Sequence, residues 1–246
     1  MQQKSPLVKI GDFFFRYRNF VFPVILVILF AVFMPSHEIF GREWLEDVSD
    51  WIGALMVFAG LALRAAVVGF AYIKRGGLNK QVYADTLVTE GFFNLSRNPL
   101  YFANMLIYSG IFVTDGNLWV MAIGIGSFWF IYESIIAAEE YFLKGKFGPE
   151  YEKYCQTVPK WIPNFRKFRV ATQGMQFNYK KVIVKDYSTF ASSAIALLFL
   201  NANEALRWEG FAANKNFIYS CGAGLVLILL FSLTIRILKK TGVLTV

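Results

Sequence analysis

Apolar residues in this chain come in long blocks separated by short polar stretches, not at the spacing of an amphipathic soluble helix or strand. The clearest block, Trp51 to Ile73, is about 23 residues long, enough to cross a bilayer as one helix. Further blocks run from Phe20 to Met34, Leu100 to Thr114, Leu118 to Ala138 and Phe217 to Leu238, with a weaker, shorter one from Thr189 to Asn201. Asp115-Gly116-Asn117 is a strong turn signal, so the third and fourth blocks form a tight hairpin. Residues 1–19 combine Lys4, Lys9, Arg16 and Arg18 with Phe13, Phe14 and Phe15, which predicts an interfacial approach to the first span. No small-residue cleavage site follows Met34, so a span is expected there, not a signal peptide. The expected fold is all-α: a polytopic membrane helical bundle of about six transmembrane helices, in a single domain over residues 1–246.

Composition agrees. The chain is 56% hydrophobic and 17% charged, against about 25% charged in soluble domains. The net charge of +8 raises the question of nucleic acid, but the cations cluster beside the apolar blocks. Of 25 Lys and Arg, 21 fall in segments on one proposed side and 3 on the other, with Arg64 inside a span. That asymmetry predicts cytoplasmic N and C termini in a cell (inner) membrane, with the basic residues against anionic headgroups. No nucleic-acid partner is expected. Residues 164–187 mix cations with aromatics and are expected to lie on the headgroups. Cys155 and Cys221 lack ligand spacing, and His37 has no cysteine or acidic partner at metal spacing, so no metal is expected. Gly76-Gly77 lack the pattern of a phosphate loop.

Candidate chemistry gathers at two places. The segment from Asp85 to Tyr101 is polar and turn-rich, with Gly91 at a bend and Pro99 suited to the first turn of a helix. Lys74, Arg75, Gly76 and Gly77 are expected to end the preceding helix. Glu139 and Glu140 close the fourth apolar block. A short hairpin returns Arg97 and Glu139 to one face of the membrane. There, Glu139 offers a carboxylate, the 85–88 loop offers backbone groups, and Phe93 and Tyr101 offer an aromatic wall for a cationic or dipolar cofactor. Arg64 lies inside a span, where a charge is either functional or paired with a neighbouring carboxylate for structure.

These two stretches resemble the isoprenylcysteine carboxyl methyltransferase and phospholipid methyltransferase superfamily. The resemblance rests on Thr89, Gly91, Arg97, Pro99 and Tyr101, then on Glu139, Glu140, Leu143, Phe147, Gly148, Tyr151, Tyr154, Val158, Pro159, Ile162 and Pro163. It covers roughly residues 51–165, the expected methyltransferase-like core, and leaves 166–246 as a basic segment with extra spans. It implies S-adenosyl-L-methionine as cofactor and a lipophilic methyl acceptor, a membrane lipid or small molecule, in the bilayer. Carried over by position, cofactor contacts are Asp85, Thr86, Leu87, Val88, Phe93, Asn98, Pro99, Leu100, Tyr101, Glu139 and Glu140, with Arg97, Glu139 and Arg64 as catalytic candidates. Three positions depart from the family: Asn98 stands for the usual His, Ala103 for the usual Gly, and Ile135 for an Arg that orients a substrate carboxylate in isoprenylcysteine methyltransferases. Either Arg64 or Arg97 takes over that task, or the acceptor is not a prenylcysteine carboxylate, and the second reading is favoured. A nicotinamide-dependent sterol-reductase-like enzyme and a non-catalytic membrane protein are the rival readings.

Overall fold

A computed structural model describes residues 4–70, 82–208 and 210–244. Among them lie nine α-helices and no strand: α1 (Pro6–Val32), α2 (Glu43–Phe70), α3 (Pro99–Thr114), α4 (Leu118–Phe147), α5 (Pro149–Thr157), α6 (Phe168–Ala171), α7 (Tyr179–Trp208), α8 (Gly210–Ala213) and α9 (Lys215–Lys240). Five of them (α1, α2, α4, α7, α9) are long and apolar enough to cross a membrane, and α3 is a shorter apolar helix. The polytopic helical bundle expected from the apolar blocks is therefore observed.

Several boundaries differ, each for a local reason. Ser5 caps α1 by accepting from the Val8 amide, and Pro6 fits its first turn, so the expected interfacial approach and first span are one 27-residue helix. Glu43 and Glu46 favour the positive end of α2, so the acidic segment before Trp51 is the start of the helix and not a loop. The expected end of that helix at Ile73 and its Lys74-Arg75-Gly76-Gly77 terminus lie outside the described residues. Asn117 caps α4 by accepting from the Trp119 and Val120 amides. That helix runs through Glu139 and Glu140 to Phe147, so the acidic pair does not end it. Gly148, at φ +51°, makes the break into α5 that a side chain would oppose. Residues 179–187, expected on the headgroups, instead open the 30-residue α7, which absorbs the weak fifth block.

Packing between spans uses small residues, since lipid chains are as apolar as leucine and only close approach favours association. At the α2–α3 seam a Cβ on Gly53 would stand 2.7 Å from the Gly110 carbonyl oxygen, one on Gly60 2.7 Å from that of Ala103, and one on Gly110 2.6 Å from that of Gly53. On α1, the buried Val8, Gly11, Phe15, Phe22 and Leu29 recur on one stripe, which faces α4. Phe22 there meets Tyr108, Phe128 and Tyr132 edge-on or tilted.

The C-terminal helices attach through a buried charge pair. Arg64 of α2 donates from Nε to Asp186 Oδ2 at 3.0 Å and pairs through Nη2 with Asp186 Oδ1, while Nη1 donates to Asn104 of α3. Asp186 has no exposed surface. The guanidinium is thus engaged by a neighbouring carboxylate and an amide, and the catalytic expectation for Arg64 gives way to a structural pairing.

Two outcomes test this packing. Gly110→Val should lower the melting temperature in detergent, with a loss of about 1–3 kcal/mol from overpacking, whereas Gly126→Val, with nothing within 4 Å of a new Cβ, should not; circular dichroism melts compare them. Asp186→Leu alone should destabilise by about 3–5 kcal/mol by stranding a buried cation, and the Arg64→Met, Asp186→Leu double variant should regain most of that. Equal losses in the single and double variants would refute the pairing.

Candidate active site

The site grows from a backbone zipper between the residues before α3 and the tail after α5. The Arg97 amide donates to the Pro159 carbonyl at 2.9 Å, and the Asn164 amide donates to the Leu95 carbonyl at 2.9 Å. Side chains add to it: Ser96 Oγ donates to the Trp161 carbonyl at 2.7 Å, and Asn98 Nδ2 to the Lys160 carbonyl at 3.0 Å. Tyr154 of α5 donates its hydroxyl to the Phe93 carbonyl at 2.6 Å. The tail is also held from α4, where Glu133 takes both the Lys160 ammonium and the Trp161 indole N–H. The proline-bounded tail thus finds strand-like partners without forming a strand, and its placement fixes where Arg97 can reach.

Glu139 and Glu140 face different ways, because neighbours on a helix point about 100° apart. Glu139 Oε1 accepts from the Tyr101 hydroxyl at 2.8 Å, and Arg18 Nη1 donates to that same hydroxyl at 3.4 Å. The Tyr132 ring packs on Tyr101 with centroids 5.2 Å apart. This half faces the bundle interior, between α1, α3 and α4. Glu140 turns toward α5, where its Oε1 lies 2.9 Å from Arg97 Nη1. The contact is an ion pair without hydrogen-bond alignment: Glu140 Oε1 and Arg97 Nε are both buried and lack a hydrogen-bond partner. Arg97 Nη1 also reaches Cys155 Sγ at 2.7 Å. Burial, reinforced by the Glu140 charge, pushes the Tyr151 phenol well above its ordinary range, so it stays a neutral donor.

Glu140, Tyr151 and Cys155 line an open groove of about 490 Å³ between α4 and α5, with Tyr141, Lys144 and Glu152 on its rim. That volume lies within the range of small-molecule sites.

The hairpin therefore joins Arg97, Asn98, Tyr101, Glu139 and Glu140 at one end of the bundle. Asp85 and Thr86 are exposed, with Asp85 accepting from the Tyr83 hydroxyl. Leu87 is half-buried against the Tyr151, Tyr154 and Val158 cluster beside the groove, and Val88 is half-buried. Lys146 donates to the Ala84 carbonyl and ties this loop to α4. Phe93 is half-buried and contributes its carbonyl to Tyr154. Pro99 is buried at the start of α3, and Leu100 packs into a separate cluster with Val67, Phe92 and Leu95. Arg64 stands apart, in the α2–α3–α7 interior. Ile135 is wholly buried in the apolar core.

A place in the site was not read from the sequence for Arg18, Cys155, Glu133 or Lys160. Arg18 had a signal: it falls on the same repeat as Val8, Gly11, Phe15, Phe22 and Leu29, so it had to face α4. Cys155 sits one turn after Tyr151 on the groove side of α5.

The chain is 29% identical over 160 residues to the cobalt-zinc-cadmium resistance protein CzcN of Cupriavidus metallidurans, covering 65% of this chain and 70% of that protein. It is 26% identical over 166 residues to the nickel-cobalt-cadmium resistance protein NccN of Alcaligenes xylosoxydans xylosoxydans, covering 67% and 72%. No solved structure matches it significantly. Residues 48–150, from the first turns of α2 into α5, match the model of the phospholipid methyltransferase family.

Proposed function

We propose that this chain transfers a methyl group from S-adenosyl-L-methionine to a lipophilic acceptor at the cytosolic rim of the membrane. The observation that carries the reading is the α3–α4 hairpin, which sets Arg97 against Glu140 and Tyr101 against Glu139 beside the α4–α5 groove. The residues suit the cofactor's zwitterionic head: Glu140 lines the groove, and Arg97 Nε and Glu140 Oε1 are a buried donor and acceptor without hydrogen bonds beside it. Arg97 would hold its carboxylate, Glu140 its ammonium, and the 85–88 segment would supply backbone groups at the side of the site. When bound, the cofactor supplies an electrophilic methyl on a sulfonium, so the protein needs orientation and exclusion of water more than a metal.

The chain's own groups then have distinct tasks. The zipper to residues 159–164 holds Arg97 in place, and Asn98 does this with an amide where a family histidine stands. Glu139, facing the interior with Tyr101 and Arg18, is the carboxylate available to take a proton from an O–H or N–H acceptor. Ile135 fills its position with packed carbon, which supports an acceptor other than a prenylcysteine carboxylate: a membrane lipid or lipophilic small molecule. The names of the two relatives connect those proteins with resistance to divalent metals. For this chain we infer a similar setting, reached through modification of a membrane molecule.

In detergent, S-adenosyl-L-methionine or S-adenosylhomocysteine at ~100-fold over its dissociation constant should stabilise by about 2.7 kcal/mol, raising the melting temperature by about 5–10 °C. Glu140→Gln and Arg97→Met should weaken that response about tenfold or more, and Glu139→Gln less, because Glu140 is the acid facing the groove. A shift with NADPH instead would favour the reductase reading, and no shift with either would favour a non-catalytic protein. In a metal-sensitive bacterial host, the wild-type chain should raise tolerance to Co²⁺ and Zn²⁺ and Glu140→Gln should not; equal tolerance would detach resistance from the groove.

A further inference from the structure

The bundle end opposite the groove carries a second cluster. α3 separates the two ends: Arg97 precedes it and Asp115 follows it, and its 16 residues rise about 24 Å. Here the loop after α1, the first turn of α2 and the last turns of α7 bring together His37, Glu46 and Glu204. One ligand atom from each lies within 4.8 Å of the others. His37 Nδ1 stands 4.0 Å from Glu204 Oε1. Spacing along the chain leaves His37 without an acidic partner; the fold supplies two.

We propose that His37, Glu46 and Glu204 bind a divalent transition-metal cation of borderline softness, such as Zn²⁺ or Co²⁺. Geometry is the first support. The His37 loop is pinned from three directions: Trp208 Nε1 donates to the Pro35 carbonyl at 3.2 Å, the Ser36 amide to the Asp115 carbonyl at 3.3 Å, and Asn117 Nδ2 to the Met34 carbonyl at 2.8 Å. The Trp208 ring also lies against the imidazole, with centroids 5.7 Å apart. A histidine held this way is presented to the site before any ligand arrives.

Glu46 is the second, independent support. Its side chain is buried, with 6% of the residue exposed, and it points into the cluster. Among the described residues it has no hydrogen bond and no ion pair, and the charges nearest to it are those of Asp50, Glu204 and Asp47. Around it, Asp115 is 3% exposed, with the Asn117 backbone amide beside its carboxylate, and Asp50 Oδ1 is buried without a partner. Arg207 is the cation nearby, and its Nε is held by Asn203. Buried carboxylates in this number carry a large desolvation penalty unless a cation neutralises them.

The donor set names the cation. One imidazole and two carboxylates, without thiolate, suit Zn²⁺, Co²⁺ or Ni²⁺ over soft Cu⁺, and the imidazole disfavours Mg²⁺, which prefers oxygen and water. Ligand atoms about 2.0–2.1 Å from a tetrahedral Zn²⁺ stand about 3.3 Å apart, so from separations within 4.8 Å the three side chains need close by at most about 1.5 Å. Such a cation would tie the first loop, α2 and α7 together at this end, where Arg64–Asp186 ties α2 to α7 deeper in the bundle.

Full-length, tag-free protein, stripped with chelator and held in detergent, provides the test. Titration with Co²⁺ should give visible absorption bands that saturate at one equivalent, and Zn²⁺ should raise the melting temperature where Mg²⁺ at the same concentration does not. His37→Ala and Glu46→Gln should each weaken Co²⁺ binding about tenfold or more. Without metal, Glu46→Gln should melt at or above wild type because it removes a buried charge, which separates lost binding from lost folding. Absence of saturable binding, unchanged affinity in both variants, or an equal response to Mg²⁺ would overturn the proposal.

Discussion

Charge inside an apolar bundle must be paired, and that requirement sets the arrangement of this molecule. Water is not there to solvate an isolated guanidinium or carboxylate, so each one draws a helix toward it. Arg64 brings α7 to α2 through Asp186, Arg18 brings α1 to Tyr101 and Glu139, and Arg97 brings α4 and α5 to the start of α3. Tight glycine contacts between α2 and α3 then allow these short-range pairings to be satisfied together. Apolar packing supplies cohesion without much preference for register, while a forked guanidinium accepts only a narrow range of positions. Specificity therefore lies in a few polar contacts, and the candidate site is built from the same contacts.

Most of the architecture was legible in the chain because the bilayer imposes a length on every span. Trp51, Pro99, Asp115-Gly116-Asn117 and Phe217 mark or adjoin helices that the structure contains. Errors came where polarity was read as a boundary. Residues 43–50 and 179–187 are polar enough to resemble loops, yet they are helical, since a helix end at the interface tolerates charge on its outer faces. Asp186 was hidden for this reason: beside Lys185 it looks like surface, and only burial against Arg64 reveals its role.

The site was legible in its motifs and less so in its directions. Sequence separation alone predicts that a hairpin returns Arg97 to the acidic pair, and it does. It does not predict which acid meets which partner, because that depends on the rotation of α4 about its axis. The stripe on α1 settles the rotation: Phe22 packs on Phe128 and Tyr132, and a turn or two further along α4 the same face presents Glu139. Glu140 is then forced toward α5. One residue of rotational slip would exchange the two roles, so the apolar core of α1 and α4 controls the chemistry at the rim.

On the proposed reading, this division gives two adjacent acids separate tasks. A cofactor with an amino-acid head and an acceptor with a proton to lose require negative charge in two places, one open to water and one facing the bundle. A single carboxylate cannot stand on both sides of a helix, but neighbours 100° apart can. Glu140 lines an open groove and pairs with Arg97 behind it, and Glu139 turns to Tyr101 and Arg18. If that reading holds, α4 is the partition between a polar ligand and a lipophilic one. Catalysis on this reading depends less on any unusual reactivity of a side chain than on the fixed angle between two consecutive residues.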